Sequence, residues 1–447
     1  GAHAGHPRRR VTGEGPRLTR DIPGGTPRLT RDIPAVPGTV RLRYEDFRVD
    51  EVPAYAPTGE GDHVFFRIEK TGLSTFQAVR DIARHLGVDA RAIGSAGLKD
   101  ARAITTQALS VEHVEPERIR ALEIPRIRVL EAVRSRKKLR TGHLRGNRFR
   151  IALRPPAAES EAAADRLERT RAVLRELGRR GVPNYFGPQR FGIRGDTGEI
   201  GRAVLEERWY DAAALIAGRP DPADPEDLLR ARTLFEEGRF ADAAAAWPRA
   251  FVEAARVCRE MERTGRDARR AVLSVGRRMV GFYVSAWQSW LFNRVLATRV
   301  DALDRLLAGD LAMKHESGGI FLVESPAAEQ PRADAFEISP TGPLFGTRMG
   351  EPEGEPRALE ERVLAESGMD AERLRGRGRS APSGSRRALR IPLADAEADL
   401  ERDDLGEHIV LRFALPAGAY ATAVLEEVAK EGLVTATAED FLEAEGE

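Results

Sequence analysis

The stretch GSAGLKDARAITTQ, residues 94–107, sets a Lys-Asp pair behind two glycines and ahead of a β-branched run. Gly94 and Gly97 allow a turn or a close backbone approach. Ala103-Ile104-Thr105-Thr106 reads as the start of a strand. Asp100 therefore stands where a loop hands over to a sheet, a place from which a rigid scaffold can present a functional carboxylate. Local chemistry by itself favours the blander role, since an Asp beside Gly is a common solvated turn residue.

Two further stretches could hold a polyanion or a base. SRKKLRTGHLRGNRFRIALR, residues 135–154, is the densest positive run in the chain. Strand alternation puts Phe149, Ile151 and Leu153 on one face and Arg148, Arg150 and Arg154 on the other. Arg136, Lys137, Lys138, Arg140 and Arg145 precede them. Few acids interrupt the run, so it reads as a phosphate-binding track; the competing role is a solvated strand face paired with nearby Glu. NYFGPQRFG, residues 184–192, sets Tyr185, Phe186 and Phe191 among glycines, with Asn184, Gln189 and Arg190 between. Such aromatics could stack on a base while Asn and Gln read its edge, or they could anchor the loop. GAYATAV, residues 418–424, is a Gly-bounded turn with Tyr420 just ahead of a helix.

Other site types are not found. The eight His lack zinc-ligand spacing. There is no Gly-Lys-Ser/Thr phosphate loop and no dinucleotide fingerprint behind a strand. RGRGRS (375–380) is the only Gly-Xaa-Gly run of note and lies in an irregular basic stretch. No metal, nucleotide or redox cofactor is implied.

The elements that must position these residues belong to a chain of 447 residues, long enough for two domains. Hydrophobic residues make 41% and charged residues 32%, the balance of a soluble globular protein. The formal net charge is only +1, so binding to nucleic acid must come from local charge. Most cations are Arg, which suits bidentate phosphate contacts but equally reflects codon bias. The single Cys258 excludes a disulfide framework and fits a reducing cytoplasmic setting. No apolar run reaches membrane-spanning length, and GAHAGHPRRR has no apolar region of a secretory signal.

Residues 1–36 read as a disordered basic tail containing a tandem repeat, PRLTRDIPGGT and PRLTRDIPAVP. Strands are expected around 47–49, 64–68, 104–111, 126–133 and 147–154. STFQAVRDIARHLG (74–87) is a helix: Ser74 and Gln77 have capping-box spacing, Gly87 closes it, and Phe76, Val79, Ile82, Ala83 and Leu86 form its apolar face. A helix is expected at about 160–180. Residues 205–310 are helical and Ala-rich, and 350–388 looks irregular or weakly helical. HIVLRFALP (408–416) is a strand, followed by the helix TAVLEEVAKEG. Sheet signals at both ends of a helical middle suggest an α+β domain interrupted by an inserted one.

Read in order, the chain resembles the TruD family of tRNA pseudouridine synthases. The matching stretches are EDFRVDE (45–51), GLKDARAITTQ (97–107), GNRFRIAL (146–153), VPNYFGPQRFG (182–192), SAWQSWLFN (285–293), GPLFG (342–346), SRRAL (385–389) and RFALPAGAYATAVLEEV (412–428). The resemblance implies a pseudouridine synthase catalytic domain with a mixed, largely antiparallel sheet, interrupted by an inserted, family-specific (TRUD) α+β domain. The expected division is a tail at 1–36, a first catalytic segment at 37–204, the insertion at 205–394 and a second catalytic segment at 395–447 that completes the sheet, with RNA in the cleft between domains.

The implied activity is isomerisation of a uridine in tRNA, expected at position 13 of the D-arm, without a cofactor. The carboxylate at the sugar would be Asp100, by nucleophilic addition or by proton removal. Its basic partner, counting back from EDF, would be Arg41, with Arg43 as the alternative. Phe47, Asn184 and Tyr420 fall at the family's uridine-contacting positions, with stacking on a flipped base as the expected role, and Phe186 would wall the pocket. For Phe47, core packing stays equally open. Tyr420 stands where some members have Phe. Arg136, Lys137, Lys138, Arg148 and Arg150 would meet RNA phosphate. The expected partner is tRNA, with no membrane, and a monomer is favoured. The rival readings are a non-catalytic RNA-binding or tRNA-folding factor and an enzyme acting on another RNA.

Overall fold

The computed structural model describes residues 26–157, 159–376, 381–437 and 440. The chain divides into two compact units. One is built from Arg28–Asn184 together with the chain from Arg390 on, the other from Tyr185–Leu389. These are called the sheet unit and the helical unit below.

The first stretch of the sheet unit runs β1 (Gly38–Val40), β2 (Phe47–Pro53), β3 (His63–Thr71), helix α1 (Thr75–Leu86), β4 (Gly94–Ser95), β5 (Ile104–Glu112), β6 (Ile127–Ser135), β7 (Leu144–Leu153), α2 (Ala163–Arg180) and β8 (Val182–Pro183). The helical unit follows. Its helices include α3 (Thr197–Leu205), α4 (Trp209–Ala217), α5 (Val252–Arg263), α6 (Ala268–Leu273) and α7 (Arg277–Arg299), and its strands are β9 (Leu311–Lys314), β10 (Ile320–Leu322), β11 (Ile338–Leu344) and β12 (Ser385–Ala388). The chain then returns to the sheet unit as β13 (Arg390–Ile391), β14 (Ala394–Asp403), β15 (Gly406–Pro416), α8 (Ala421–Ala429) and β16 (Leu433–Thr435).

The main sheet has the order β14-β15-β7-β2-β5-β3-β6, with β4 beside β5. Only β2 and β5 are parallel in it, so the sheet is mixed and largely antiparallel, as expected. Period-2 alternation holds in β3, where Val64, Phe66 and Ile68 are fully buried under α1. Phe65 points to the opposite face and packs with Ala96, Ala108 and Leu139, so both faces are covered. Each such buried side chain contributes about 1.5–3 kcal/mol.

Helix α1 begins and ends as its residues dictate. Ser74 accepts from the Gln77 amide, the Gln77 side chain answers the Ser74 amide, and Gly87 closes the helix in the left-handed region at φ 70°. One expectation for its apolar face fails. Phe76 is 68% exposed, and the buried stripe is Thr75, Ala78, Ile82, Ala83 and Leu86. At 100° per residue Phe76 lies about a quarter-turn off that stripe.

Three further expectations change. The PRLTRDIPAVP copy at 27–37 is not tail: Leu29, Thr30 and Val36 are buried. The Leu29 and Thr30 amides each donate to the Glu427 carboxylate at 2.9 Å, and the Val36 amide donates to the Val428 carbonyl at 2.9 Å. A buried carboxylate on α8 needs these donors, which ties the segment down. The first copy lies outside the described residues except for Thr26. Residues 350–388 hold real structure, including a helix at Gly354–Glu366. Its Glu360 is buried, and burial raises its pKa against the hydrogen bonds at 2.7 and 2.9 Å that Arg386 donates to it. Finally, the units divide at 184/185 and 389/390 rather than at 204/205 and 394/395. The first shift follows from α3, which packs along α7.

Candidate active site on the Asp100 loop

Asp100 lies on the connection from β4 to β5. Gly94 is required there, because a Cβ would stand 2.3 Å from the Leu139 carbonyl oxygen. Gly97 is not: a Cβ there meets nothing closer than 4.0 Å.

Lys99 and Asp100 point apart, as neighbours on extended chain do. Lys99 turns inward. Its Nζ is 2.8 Å from Glu51 Oε2 and donates to Asn147 Oδ1 at 2.6 Å. Its amide donates to Thr75 Oγ1 at 2.9 Å, and that hydroxyl donates to Gln107 Oε1 at 3.0 Å. Glu51 and Asn147 face each other in the β2–β7 register, so the lysine is bolted to the middle of the sheet.

Asp100 is held twice. Its carbonyl accepts from Lys70 Nζ at 3.0 Å, and Lys70 also donates to the Leu73 carbonyl. Its carboxylate Oδ2 accepts from Arg41 Nη2 at 3.1 Å, while the Asp100 side chain stays 45% exposed. Arg41 also donates to the Arg102 carbonyl at 3.0 Å, and its guanidinium lies 3.7 Å over the Phe47 ring. The Arg41 backbone sits at φ 63°, a left-handed conformation costing about 1–2 kcal/mol in a non-glycine residue. An ion pair this exposed returns about 0.2–1 kcal/mol. The pair therefore does not exist for stability; it places a guanidinium beside an accessible carboxylate.

Arg43, the other candidate partner, donates to both carboxylate oxygens of Asp404 at 2.6 Å. Phe47 is 2% exposed, lies edge-on to Phe149 with centroids 6.3 Å apart, and carries Arg41 on its face. Its ring supports the arginine and has no open face for a base. Asn184 is buried, immediately after β8. Tyr420 is 40% exposed at the start of α8. Its turn leaves the sheet beside the anchor of Lys99: Leu415 pairs with Asn147, Pro416 pairs with Gly146, and the Ala417 amide donates to the Arg145 carbonyl at 3.0 Å. Gly146 permits this, since a Cβ would lie 2.2 Å from the Leu415 oxygen.

Phe186 belongs to the helical unit. Its amide and carbonyl are both bonded at 2.9 Å to the Asn293 side chain, its ring is edge-on to Phe292, and the Arg387 guanidinium covers it at 4.2 Å. Gln288 meanwhile donates to the Phe345 carbonyl at 2.6 Å. The stretches NYFGPQRFG, SAWQSWLFN, GPLFG and SRRAL thus meet in one packed knot, and Phe186 is part of its core.

The basic strand face of β7 is largely occupied. Arg154 is buried, with Asp46 at 2.6 Å and Asp403 at 2.7 Å. Arg150 donates to Glu401 at 2.5 Å, and Arg412 takes the other Glu401 oxygen at 2.5 Å. The competing role, a strand face paired with nearby Glu, therefore holds for Arg150. Arg148 is exposed, with only a 3.8 Å approach to Asp395. Arg136 pairs with Glu60, Lys137 lies 5.5 Å from the Tyr55 ring centroid, and Lys138 has no ion-pair partner among the described residues.

Sequence reasoning missed Lys70, Glu51 and Asn147. A signal for Lys70 was present: it continues the buried series Val64, Phe66, Ile68, where a lysine is out of place. Burial lowers its pKa to about 8, against the opposing pull of the Asp100 charge, with Lys99 adding to the lowering. Leu98 was also missed; at 65% exposed beside Asp100, with exposed Phe76 next in sequence to Thr75, it leaves apolar surface at the loop.

Residues 25–428 match the family model described as tRNA pseudouridine synthase D (TruD). A protein of Geobacter sulfurreducens named tRNA pseudouridine synthase D is 46% identical over 386 residues, covering 86% of this chain and 92% of that one. A protein of the same name from Anaeromyxobacter dehalogenans is 39% identical over 396 residues, covering 88% and 93%. Among solved structures, the crystal structure of a Methanosarcina mazei protein assigned as a tRNA pseudouridine synthase D matches with a TM-score of 0.81 at 27% identity, covering 94% of this chain and 99% of that one.

Proposed function

The chain belongs to the TruD family of tRNA pseudouridine synthases, isomerases that convert uridine to pseudouridine, and from that premise we propose that it isomerises a uridine of tRNA, at position 13 of the D-arm, with Asp100 as the carboxylate that acts at the sugar. The observation that carries this reading is the accessible Asp100 carboxylate 3.1 Å from Arg41 on a loop anchored through Lys99 and Lys70.

The reaction breaks the C1′–N1 bond, forms a C1′–C5 bond, releases the C5 proton and returns a proton to N1. Nothing is oxidised and no group is donated, so the chain's own residues suffice. Asp100 works as the ionised form, either adding to the sugar or removing a sugar proton. Arg41 sets its guanidinium 3.1 Å from Asp100 Oδ2 and so fixes which oxygen faces outward. Phe47 backs Arg41. Tyr420, half-exposed at its turn, is the ring available to stack on the flipped base, and buried Asn184 is assigned to the base edge. Lys137, Lys138 and Arg148 are the phosphate contacts of the β6–β7 region. The sheet unit is thereby the catalytic domain and the helical unit the inserted family-specific one.

The test is tritium release from C5-labelled uridine in tRNA by the wild-type chain and by Asp100→Asn, with tRNA binding measured on both. Release by wild type alone, with binding retained by the variant, is expected. Binding without release by wild type would replace this reading with a tRNA-binding or tRNA-folding factor, or with an enzyme for another RNA. Equal release by both would remove Asp100 from the chemistry. Mapping the product nucleotide tests position 13.

A further inference from the structure

The helical unit contains a second basic region with a different character. Residues 263–278 read RTGRDARRAVLSVGRR, six arginines and one aspartate. Arg263 pairs with Glu260, and Arg266 lies 5.6 Å over the Phe240 ring. Arg269, Arg270, Arg277 and Arg278 are exposed, and among the described residues none has a carboxylate within 4 Å. Of the nearby acids, Glu260 pairs with Arg263, Asp267 caps α6 by accepting from the Arg270 amide at 3.0 Å, and Glu262 stands exposed more than 4 Å from all four arginines.

Their placement is unfavourable for the chain alone. Arg277 and Arg278 open the 23-residue α7 behind Gly276, with no side-chain cap and no acid in the first turn. The positive end of the helix dipole costs cations there about 0.3–1 kcal/mol each at most. Arg269 and Arg270 add like charge from α6. The surface beyond them is open to close approach. A Cβ on Gly281 would meet nothing within 4 Å, and Phe282 is 36% exposed one turn after Arg278. Trp209 lies 5.8 Å from the Arg269 guanidinium, beside Tyr210, which is 49% exposed.

We propose that α6 and the first two turns of α7 form a docking surface for the phosphodiester backbone of an RNA, with Arg269, Arg270, Arg277 and Arg278 as its phosphate contacts. The guanidinium fork fits phosphate oxygens in pairs. An RNA also satisfies the dipole end that these arginines oppose, and the interleaved aromatic rings suit an exposed base or ribose. A membrane surface would need a broad apolar face, and the segment exposes only Leu273 and Phe282 among its large apolar side chains. The inference rests on the chain's being a tRNA-modifying protein, and it concerns the unit that carries neither Asp100 nor Arg41.

The experiment is tRNA binding by the full chain across a salt series, for wild type, a quadruple Arg→Gln variant at 269, 270, 277 and 278, the matching quadruple Arg→Lys variant, and a control carrying Arg230→Gln and Arg362→Gln. The Gln variant is expected to bind about tenfold or more weakly, and to lose about one unit of slope in log K against log salt per phosphate contact removed. The Lys variant should keep the slope, and the control should match wild type. A Gln variant with the wild-type slope overturns the proposal. So does a control that loses as much per charge. Pseudouridine formation assayed in parallel separates the two readings: binding through these arginines without product would sink the assigned activity and leave the surface standing.

Discussion

Two of the chain's arginine-dense stretches, β7 and 263–278, behave oppositely. On β7, Arg150 and Arg154 face carboxylates supplied by β14 and by the segment before β2: Glu401, Asp403 and Asp46. At 269–278 the arginines face solvent, with no such partner among the described residues. Density of positive charge along a sequence therefore says little about its availability. What decides it is whether another segment brings acids into register. On β7 Glu401 and Asp403 arrive from about 250 residues away in sequence and Asp46 from 108 residues away. Next to α6, among the described residues, no carboxylate comes within 4 Å of Arg269, Arg270, Arg277 or Arg278, and the charge remains open to an external polyanion.

The largest effect bearing on this contrast is expected at Asp100, the sheet unit's carboxylate kept accessible beside its cation. Asp100→Asn should lower turnover by about 10³-fold or more and leave tRNA affinity within about twofold, as measured by tritium release and filter binding. A joint loss of binding would mean that Asp100 serves docking as well as turnover.

Next is Lys70, a buried cation that holds the loop through backbone oxygen. Lys70→Met should lower kcat by about 100-fold with little change in KM, because a displacement of Asp100 of about 1 Å costs that much. The folded pKa of about 8 lies below the lysine's ordinary value of 10.5. The folded chain thus bears the burial cost of a charged amine below pH 8 and is relieved of it between about pH 8 and 10.5. Stability of wild type should rise over that window relative to Lys70→Met, while wild-type kcat falls there as the charge facing Asp100 is lost. An unchanged alkaline limb in the variant would reduce Lys70 to a packing role.

A smaller effect separates the two arginine regions directly. Arg150→Gln should leave the salt slope of tRNA binding unchanged and cost about 1 kcal/mol or less in urea unfolding, since its half-exposed pair with Glu401 is structural. A flattened slope would restore Arg150 to the phosphate track and erase the difference between the regions.

The smallest concerns Asp403, whose carboxyl is held down at about 2, chiefly by hydrogen bonds from Arg154. Its contribution to stability is fully present above the ordinary value of 3.8 and is lost as pH falls through about 2. Asp403→Asn should differ from wild type at neutral pH by about 1 kcal/mol or less and converge with it near pH 2 in acid-unfolding curves.

Much of the scaffold is legible where neighbours in sequence decide it. The Ser74–Gln77 box, the Gly87 stop and the alternation in β3 depend on residues within a turn or a strand, and they appear as read. Phe76 misleads because an aromatic beside an apolar stripe looks like part of it, while small Thr75 takes the inward place. Residues 28–36 look like tail because their composition is polar and Pro-rich; their order comes from Glu427, about 400 residues on. In the site, GLKD marks the loop, and the motifs point to Arg41 as its partner but leave Arg43 as an alternative. Their geometry differs because the left-handed turn at Arg41 aims one guanidinium at Asp100 while Asp404 captures the other.

Most element types, the α+β class, the family and the loop that presents Asp100 can be read from the linear chain, because they follow from local periodicity, capping and short motifs. Folding alone settles which cations are engaged and which are free, that Lys70 and Lys99 anchor the loop from below, and that Phe47 supports Arg41. Those outcomes depend on pairings across strands and between distant segments, where an ion pair forms only if both charges are delivered to the same few ångströms.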